Sequence, residues 1–370
     1  VTEREARSAH HLVLFGYLGG RNAGDDAMLD GLLAALPHGA TATVLARDPR
    51  AVGDVDERVQ VVPAAARTAL REIRRATALV RVGGTSFHDE HVPRHRRGMT
   101  SKYHRQVALV AAARLMHRPV VALGVGAGAV DRPSTRRAAA AAMRSCDVVV
   151  VRDPLSYGRL RGVVADEALV LGADLASLRP GPSQTRSSSG VLGASIVDLD
   201  RYSEATAPVA DRWSHLVETA AAARGVRTVT LYALKDNAKE SDVALAEEVA
   251  RRVRCAGLDV GVWTYDDGLE RVARSIAGCE HFIACRYHSA IMAAPYVREL
   301  IVVPYNSKLV AFADDARLPS DALLDAAAEG PPPRPSDHTT VLDGWRDRIR
   351  PRLDAMVGVL NAVCGAGEGG

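Results

Sequence analysis

A chain of 370 residues exceeds what one hydrophobic core ordinarily organises and is long enough for two domains of roughly 150 residues each. Hydrophobic residues make up 47% of it with a mean hydropathy of −0.03, the balance of a globular protein, and no run approaches about 18 uninterrupted apolar residues, which excludes a spanning helix. The 47 basic and 44 acidic side chains leave a net charge of only +3, so nucleic-acid binding through overall charge has little support; five cysteines without a CxxC pair argue against a disulfide framework or a zinc knuckle.

The first residues, Val-Thr-Glu-Arg-Glu-Ala-Arg, are polar and carry no apolar run of the signal-peptide kind, which gives the expectation of a cytoplasmic protein. Strand-like runs then alternate with helix-period segments, the pattern of a parallel sheet wrapped by helices. Residues 11–17 read as a strand, followed by a glycine-rich loop and a helix over 25–36; strands are expected at 42–46, 59–62, 78–82, 119–124 and 148–152. The stretch 179–190, Arg-Pro-Gly-Pro-Ser-Gln-Thr-Arg-Ser-Ser-Ser-Gly, has turn and linker composition and closes the first series. A second series follows, with strands at 191–196, 228–233, 258–263, 281–285 and 300–305, until Gly330-Pro-Pro-Pro-Arg-Pro breaks it. A last amphipathic helix is expected over 339–363, packed back on the body, with a disordered tail after it. The expected fold is α/β: two doubly wound Rossmann-like domains, 11–180 and 190–330, facing a cleft.

In such sheets, ligands bind at the carboxyl ends of strands, where helix N-termini favour anions. Arg286 and His288 stand where the strand 281–285 passes through Arg-Tyr-His into an Ala-rich helix, and Lys308 follows the next strand. Arg152 ends a run of four valines before Asp153-Pro-Leu-Ser, a helix-start pattern; it either meets a ligand or is satisfied by Asp153 or Asp174. Cations at three separate strand ends point to a small phosphorylated anion. The first loop, Gly16-Tyr-Leu-Gly-Gly-Arg-Asn-Ala-Gly-Asp-Asp, lacks the GxGxxG spacing of a dinucleotide site. Within it Asp25 and Asp26 read either as N-cap carboxylates or as groups facing the cleft that orient or deprotonate a hydroxyl. His88-Asp-Glu-His resembles a metal cluster only in composition, because adjacent loop residues rarely share one ion, so no metal is expected. The same polar segment runs to Lys102 and His104 and reads either as a solvated loop or as a cover for an anionic acceptor.

From about residue 12 to residue 319 the chain resembles the polysaccharide pyruvyl transferase family. Asn22-Ala-Gly-Asp-Asp resembles that family's GN-x-GD-[DE] opening, and Gly83-Gly-Thr-Ser its second glycine-rich loop. Arg118-Pro-Val-Val-Ala-Leu-Gly-Val-Gly is similar to its KPV…G-x-G strand, Val151-Arg-Asp-Pro-Leu-Ser to VRD-x-x-S, Gly172-Ala-Asp-Leu to T-A-D-P, Arg286-Tyr-His to R-L-H, and Tyr305-Asn-Ser-Lys to Y-D-x-K. The shared order, more than any single piece, carries the resemblance. Tyr287 stands where the family has Leu, and Leu175 where Pro is common.

The resemblance implies a two-domain fold of the GT-B type and a reaction that moves the enolpyruvyl unit of phosphoenolpyruvate onto a sugar as a cyclic ketal, with the donor on the second domain and the acceptor on the first. It assigns Arg152, Arg286, Tyr287 and Lys308 to the donor and His288 to acid/base chemistry, with Asp26 as a further candidate. Asn22, Asp25, His88, Lys102 and His104 are candidates for the acceptor side. No cofactor is expected beyond phosphoenolpyruvate as co-substrate. The acceptor would be a sugar, a glycan or a glycosylated small molecule, and a lipid-linked one would be met from the cytoplasmic side. The alternative is a nucleotide-sugar glycosyltransferase of the same fold type, for which no acidic ribose-binding residue stands out. A sugar- or anion-binding protein without chemistry would not need the imidazole of His288.

Overall fold

The computed structural model describes residues 10–87, 98–130, 132–182, 186–202, 207–325 and 334–365. The chain divides into two compact units. The first comprises residues 1–20, 25–179 and 349–370; the second comprises 21–24 and 180–348.

In the first unit, strands β1 (His11–Phe15), β2 (Thr41–Ala46), β3 (Val59–Pro63), β4 (Ala78–Val82), β5 (Thr85–Phe87), β6 (Val120–Ala127), β7 (Val148–Val151) and β8 (Leu169–Leu171) form one parallel sheet in the order β3-β2-β1-β4-β6-β7-β8, with β5 beside β6. Helices α1 (Ala23–Ala34), α2 (Ala66–Arg75), α3 (Gly98–Leu115), α4 (Pro133–Arg144) and α5 (Pro154–Leu160) connect them. Strands covered on both faces must be apolar along their whole length, and Leu12, Val13, Leu14, Leu79, Val80 and Val149 are all fully buried. The strand order reverses between β1 and β4, leaving a switch point there. Helix α1 begins two residues earlier than the sequence pattern indicates, because Asn22 rather than Asp25 or Asp26 caps it, its Oδ1 accepting from Gly24 N at 3.2 Å. The two aspartates fall in the first helical turn, where carboxylates favour the helix dipole.

In the second unit, β9 (Val191–Ser195), β10 (Thr228–Ala233), β13 (Asp259–Thr264), β14 (His281–Ala284) and β15 (Glu299–Val302) form a parallel sheet in the order β13-β10-β9-β14-β15. A short antiparallel hairpin, β11 (Asp236–Asn237) and β12 (Glu240–Ser241), follows β10. The connecting helices are α6 (Val209–Arg224), α7 (Val243–Cys255), α8 (Leu269–Ala277), α9 (Tyr287–Ala293) and α10 (Ser307–Ala316). Here the order reverses between β9 and β14, so the loops after those two strands flank the switch point. Buried Leu192, Trp213, Leu231, Val249 and Ile283 fill the core, and Trp213 satisfies its indole by donating to Val197 O at 2.8 Å.

The last helix, α11 (Thr339–Val363), contains Pro351. Its residues up to Arg348 group with the second unit, where Trp345 meets Phe312 edge-on at 5.3 Å and Arg348 donates to Asp315 O; the remainder groups with the first, where Met356 and Leu360 are buried. The segment after 179 is tied down at Arg186, which donates to Val297 O at 2.5 Å and to Asp343. The polyproline break and the tail beyond residue 365 lie outside the described residues. No described helix is long and apolar enough to cross a membrane.

Candidate active site

The second unit's switch point is built around Ser195, the last residue of β9. Its Oγ accepts from the backbone N–H groups of Cys285 (2.8 Å) and Arg286 (3.1 Å) and lies 2.8 Å from Ser289 Oγ. Ser289 Oγ in turn lies 2.6 Å from Arg286 O, an acceptor only, so the Ser289 hydroxyl donates there and the Ser195 hydroxyl donates to Ser289. This closed set of bonds, fully buried at both serines, fixes the turn between β14 and α9 that carries Arg286, Tyr287 and His288.

Arg286 is the N-cap residue of α9 in extended conformation. Its Nε donates to Asp242 Oδ2 at 3.1 Å, and its Nη2 donates to Asp242 Oδ1 at 2.5 Å and to Glu240 Oε1 at 2.6 Å; Lys235 pairs with Glu240 from the other side. The cation expected at this strand end is present, but two carboxylates balance its charge. Burial opposes charge on the guanidinium, yet Tyr305, Asp242 and Glu240 outweigh it and hold the arginine well above its usual range. Burial likewise opposes ionisation of Glu240, but Arg286 and Lys235 bring its carboxyl down to about 2. At Asp242 burial dominates and pushes the carboxyl up, with Arg286 opposing. The rings of Tyr202 and Tyr305 meet at 4.5 Å, tilted by 40°, beside this cluster. Burial, reinforced by Glu240, raises the Tyr202 hydroxyl to about 12, and burial raises that of Tyr305 against the pull of Arg286.

Residues 21–24 of the glycine loop belong to the same unit. Asn22 bridges Lys235 in antiparallel fashion, Ala23 N donates to Leu234 O at 3.0 Å, and Arg21 donates to Asp236 through Nε to the carbonyl and Nη2 to the carboxylate, both at 2.6 Å. His288, half-buried, lays its imidazole against Gly24: a methyl group on Gly24 would stand 2.6 Å from the ring carbon Cγ and 2.9 Å from Cβ. Only a residue without Cβ permits that approach. Lys308, half-buried, lies in the first turn of α10, whose cap Asn306 accepts from Lys308 N (3.1 Å) and Leu309 N (3.3 Å). Thus Asn22, Arg286, Tyr287, His288 and Lys308 all belong to the second unit.

The other candidates belong to the first unit. Arg152, 4% exposed at the carboxyl end of β7, has Asp153 Oδ2 and Asp174 Oδ2 each at 3.4 Å. Both carboxylates also hold backbone: Asp153 accepts from Ser156 N at 2.7 Å and Asp174 from Ala176 N at 3.0 Å. Gly126 makes room for the guanidinium, since a Cβ there would lie 2.7 Å from its Cζ. Asp25 is buried and Asp26 half-buried on α1; His104 is exposed on α3. His88 and the side chain of Lys102 lie outside the described residues. Among the described residues no group of His, Cys, Asp and Glu side chains could hold a metal ion.

Residues 22–307 match the model of the polysaccharide pyruvyl transferase family. The chain belongs to that family. As a polysaccharide pyruvyl transferase it is a transferase enzyme. No curated protein matches it by sequence. Among solved structures, it is similar to the glycotransferase of kitacinnamycin (TM-score 0.53, 12% identity, 96% of this chain and 99% of that one). It is also similar to the α,α-trehalose 6-phosphate synthase of Burkholderia multivorans (0.52, 10%, 97% and 99%) and to a UDP-N-acetylglucosamine 2-epimerase of Listeria monocytogenes (0.51, 10%, 94% and 98%). At such identities the likeness is one of fold, that of two Rossmann-like domains of the GT-B type.

Sequence reasoning did not single out Ser195, Tyr202, Glu240 or Asp242. Ser195 carries a legible signal, a hydroxyl at the carboxyl end of a buried strand. The two acids carry none, since they sit 46 and 44 residues before the arginine they hold.

Proposed function

We propose that this transferase moves the enolpyruvyl group of phosphoenolpyruvate onto two hydroxyls of a sugar or glycosylated acceptor, forming a pyruvate ketal and releasing phosphate. The observation that carries this reading is the Arg286-Tyr287-His288 turn, held by Ser195 at the switch point of the second sheet in a member of this family. Chemically, C3 of the donor gains a proton, a first hydroxyl adds at C2 and loses its own, and attack by a second hydroxyl expels phosphate, which takes up the second proton. His288 is the group suited to move these protons, because imidazole accepts and donates near neutral pH. Arg286 and Lys308 would hold the carboxylate and phosphate of the donor, the arginine by planar contacts and the lysine as a point charge, with Arg152 assigned to the donor by the family motif. Asp26 and Asn22, Asp25, His88, Lys102 and His104 remain the acceptor-side assignments. The residues require no metal for this chemistry.

The test is phosphate release and a gain in acceptor mass corresponding to a pyruvate ketal, on mixing the protein with phosphoenolpyruvate and a panel of sugars with EDTA present. His288→Ala and His288→Gln should each lower turnover by roughly 10²–10⁴-fold while phosphoenolpyruvate still raises the thermal midpoint. A midpoint raised by a nucleotide sugar and not by phosphoenolpyruvate would instead make the chain a glycosyltransferase.

A further inference from the structure

On the first unit, helix α2 has two sharply different faces. Ala69, Glu72 and Ile73 point into the core, while Arg67, Leu70, Arg71, Arg74 and Arg75 are all exposed. At 100° per residue these five fall on one outward arc, and Glu72, the one acid within α2, is buried and takes up Arg71 at 2.7 Å. The C-terminal end of α3 adjoins the same region, because Arg118, three residues beyond its end, donates from Nη2 to Arg74 O at 3.0 Å. That end closes with His117 in left-handed conformation and Arg118 N donating to Ala113 O, which leaves Leu115 projecting outward. Leu115 is 82% exposed and Leu70 is 42% exposed, and Leu115 is the most exposed large apolar side chain among the described residues.

We infer that the outward face of α2 and the adjoining end of α3 form a docking surface for an anionic phospholipid bilayer. Four exposed guanidinia of α2, with half-buried Arg118 beside them, stand there against buried Glu72, while Arg114 at the end of α3 is paired with Asp147, so the face keeps a net positive charge in a chain whose net charge is only +3. A phosphate-rich lipid surface complements it. A nucleic acid would match the charge but leave the leucines in water, whereas a bilayer accepts both: the arginines lie at headgroup level and the leucines reach the acyl boundary. Such a surface would bring the enzyme to the layer where a lipid-linked acceptor is presented.

Flotation of the full chain with liposomes decides the matter without donor or acceptor, so its failure would leave pyruvyl transfer untouched. Vesicles of phosphatidylglycerol and phosphatidylcholine should carry the protein upward and pure phosphatidylcholine vesicles should not, and the binding should fade as salt rises toward about 0.5 M. Each arginine near an anionic surface contributes roughly fivefold to binding. The triple variant Arg67→Gln, Arg74→Gln and Arg75→Gln, which spares the Arg71–Glu72 pair, should therefore bind about 10²-fold more weakly. Leu115→Gln, at a position with almost no packing to lose, should weaken binding about tenfold and keeps the inference testable if the triple variant does not fold. Equal flotation on both lipids, wild-type flotation of either folded variant, or retention on duplex DNA in salt that already releases the protein from phosphatidylglycerol would overturn the inference.

Discussion

Gly24→Ala adds one methyl group to the first turn of α1 and separates the role of His288 from the stability of the fold. The new Cβ would stand 2.6 Å from Cγ of the imidazole and 2.9 Å from its Cβ, against an ordinary carbon–carbon separation of about 3.5–4.0 Å. The ring must therefore retreat by roughly 1 Å or leave its rotamer. The backbone does not oppose the change, since Gly24 is helical and not among the residues of positive φ, and alanine gains about 0.8–1 kcal/mol over glycine in a helix. That gain offsets most of the roughly 0.5–1.5 kcal/mol of an off-rotamer side chain, so the thermal midpoint should move by only a few degrees. Turnover should fall about 10²-fold, the usual cost of a 1 Å misplacement of a reacting group, in the same phosphate-release assay. Placed in a His288→Ala background, the glycine substitution should cost nothing further, because the ring it displaces is gone. Activity within threefold of wild type, or equal losses in both backgrounds, would refute the claim that Gly24 acts through His288.

Glu299 accepts from Arg224, from Ser336 N at 3.0 Å and from the His281 ring at 2.9 Å, and although burial opposes ionisation, His281 and Arg224 hold its carboxyl down at about 2. A carboxyl depressed by folding contributes stability that is complete above its unfolded value of about 4.3 and is lost as pH falls toward 2, so Glu299→Gln should melt lower at pH 7 by the equivalent of about 3–5 kcal/mol and lose less on acidification than the wild type; parallel melting curves across pH 2–5 would count against the pairing. Arg286→Ala should cost a similar 3–5 kcal/mol because it strands Asp242 and Glu240, and clearly less in an Asp242→Asn background. Asp242→Asn alone should tighten phosphoenolpyruvate binding by removing a negative charge beside the guanidinium; an unchanged KM for the donor would place the donor away from Arg286.

The strands were legible because parallel sheets covered on both faces demand continuous apolar runs, and residues such as 148–151, four valines, admit no other reading. What escaped were elements too short or too polar to show a period: β8 has three residues, and the hairpin of β11 and β12 is Asp-Asn paired with Glu-Ser. Sequence alone does not place the start of α1, because Asn22, Asp25 and Asp26 are all competent caps and only the backbone path, drawn toward Leu234 and Lys235, selects Asn22. Arg286, His288 and Lys308 could be found because the end of a strand is a position that sequence pattern locates. Their partners could not, since the register of a polar hairpin after β10 decides which acids reach Arg286.

That hairpin changes the physics of the site. Lys235 and Arg286 face Glu240 and Asp242, so an anion arriving at Arg286 meets a cluster with little net charge and gains correspondingly little from long-range attraction. What remains is directional. Asp242 and Glu240 engage Nε and Nη2, while Nη1 makes no hydrogen bond among the described residues, and the side chain keeps 13% exposure. A guanidinium already fixed on one edge loses little further rotamer entropy when its other edge binds. A donor bound there would be selected by the geometry of its planar carboxylate or its phosphate oxygens rather than by charge alone. On this account Arg286→Lys, which keeps the charge and loses the planar fork, should weaken donor binding, and a donor KM unchanged in that variant would refute the geometric reading.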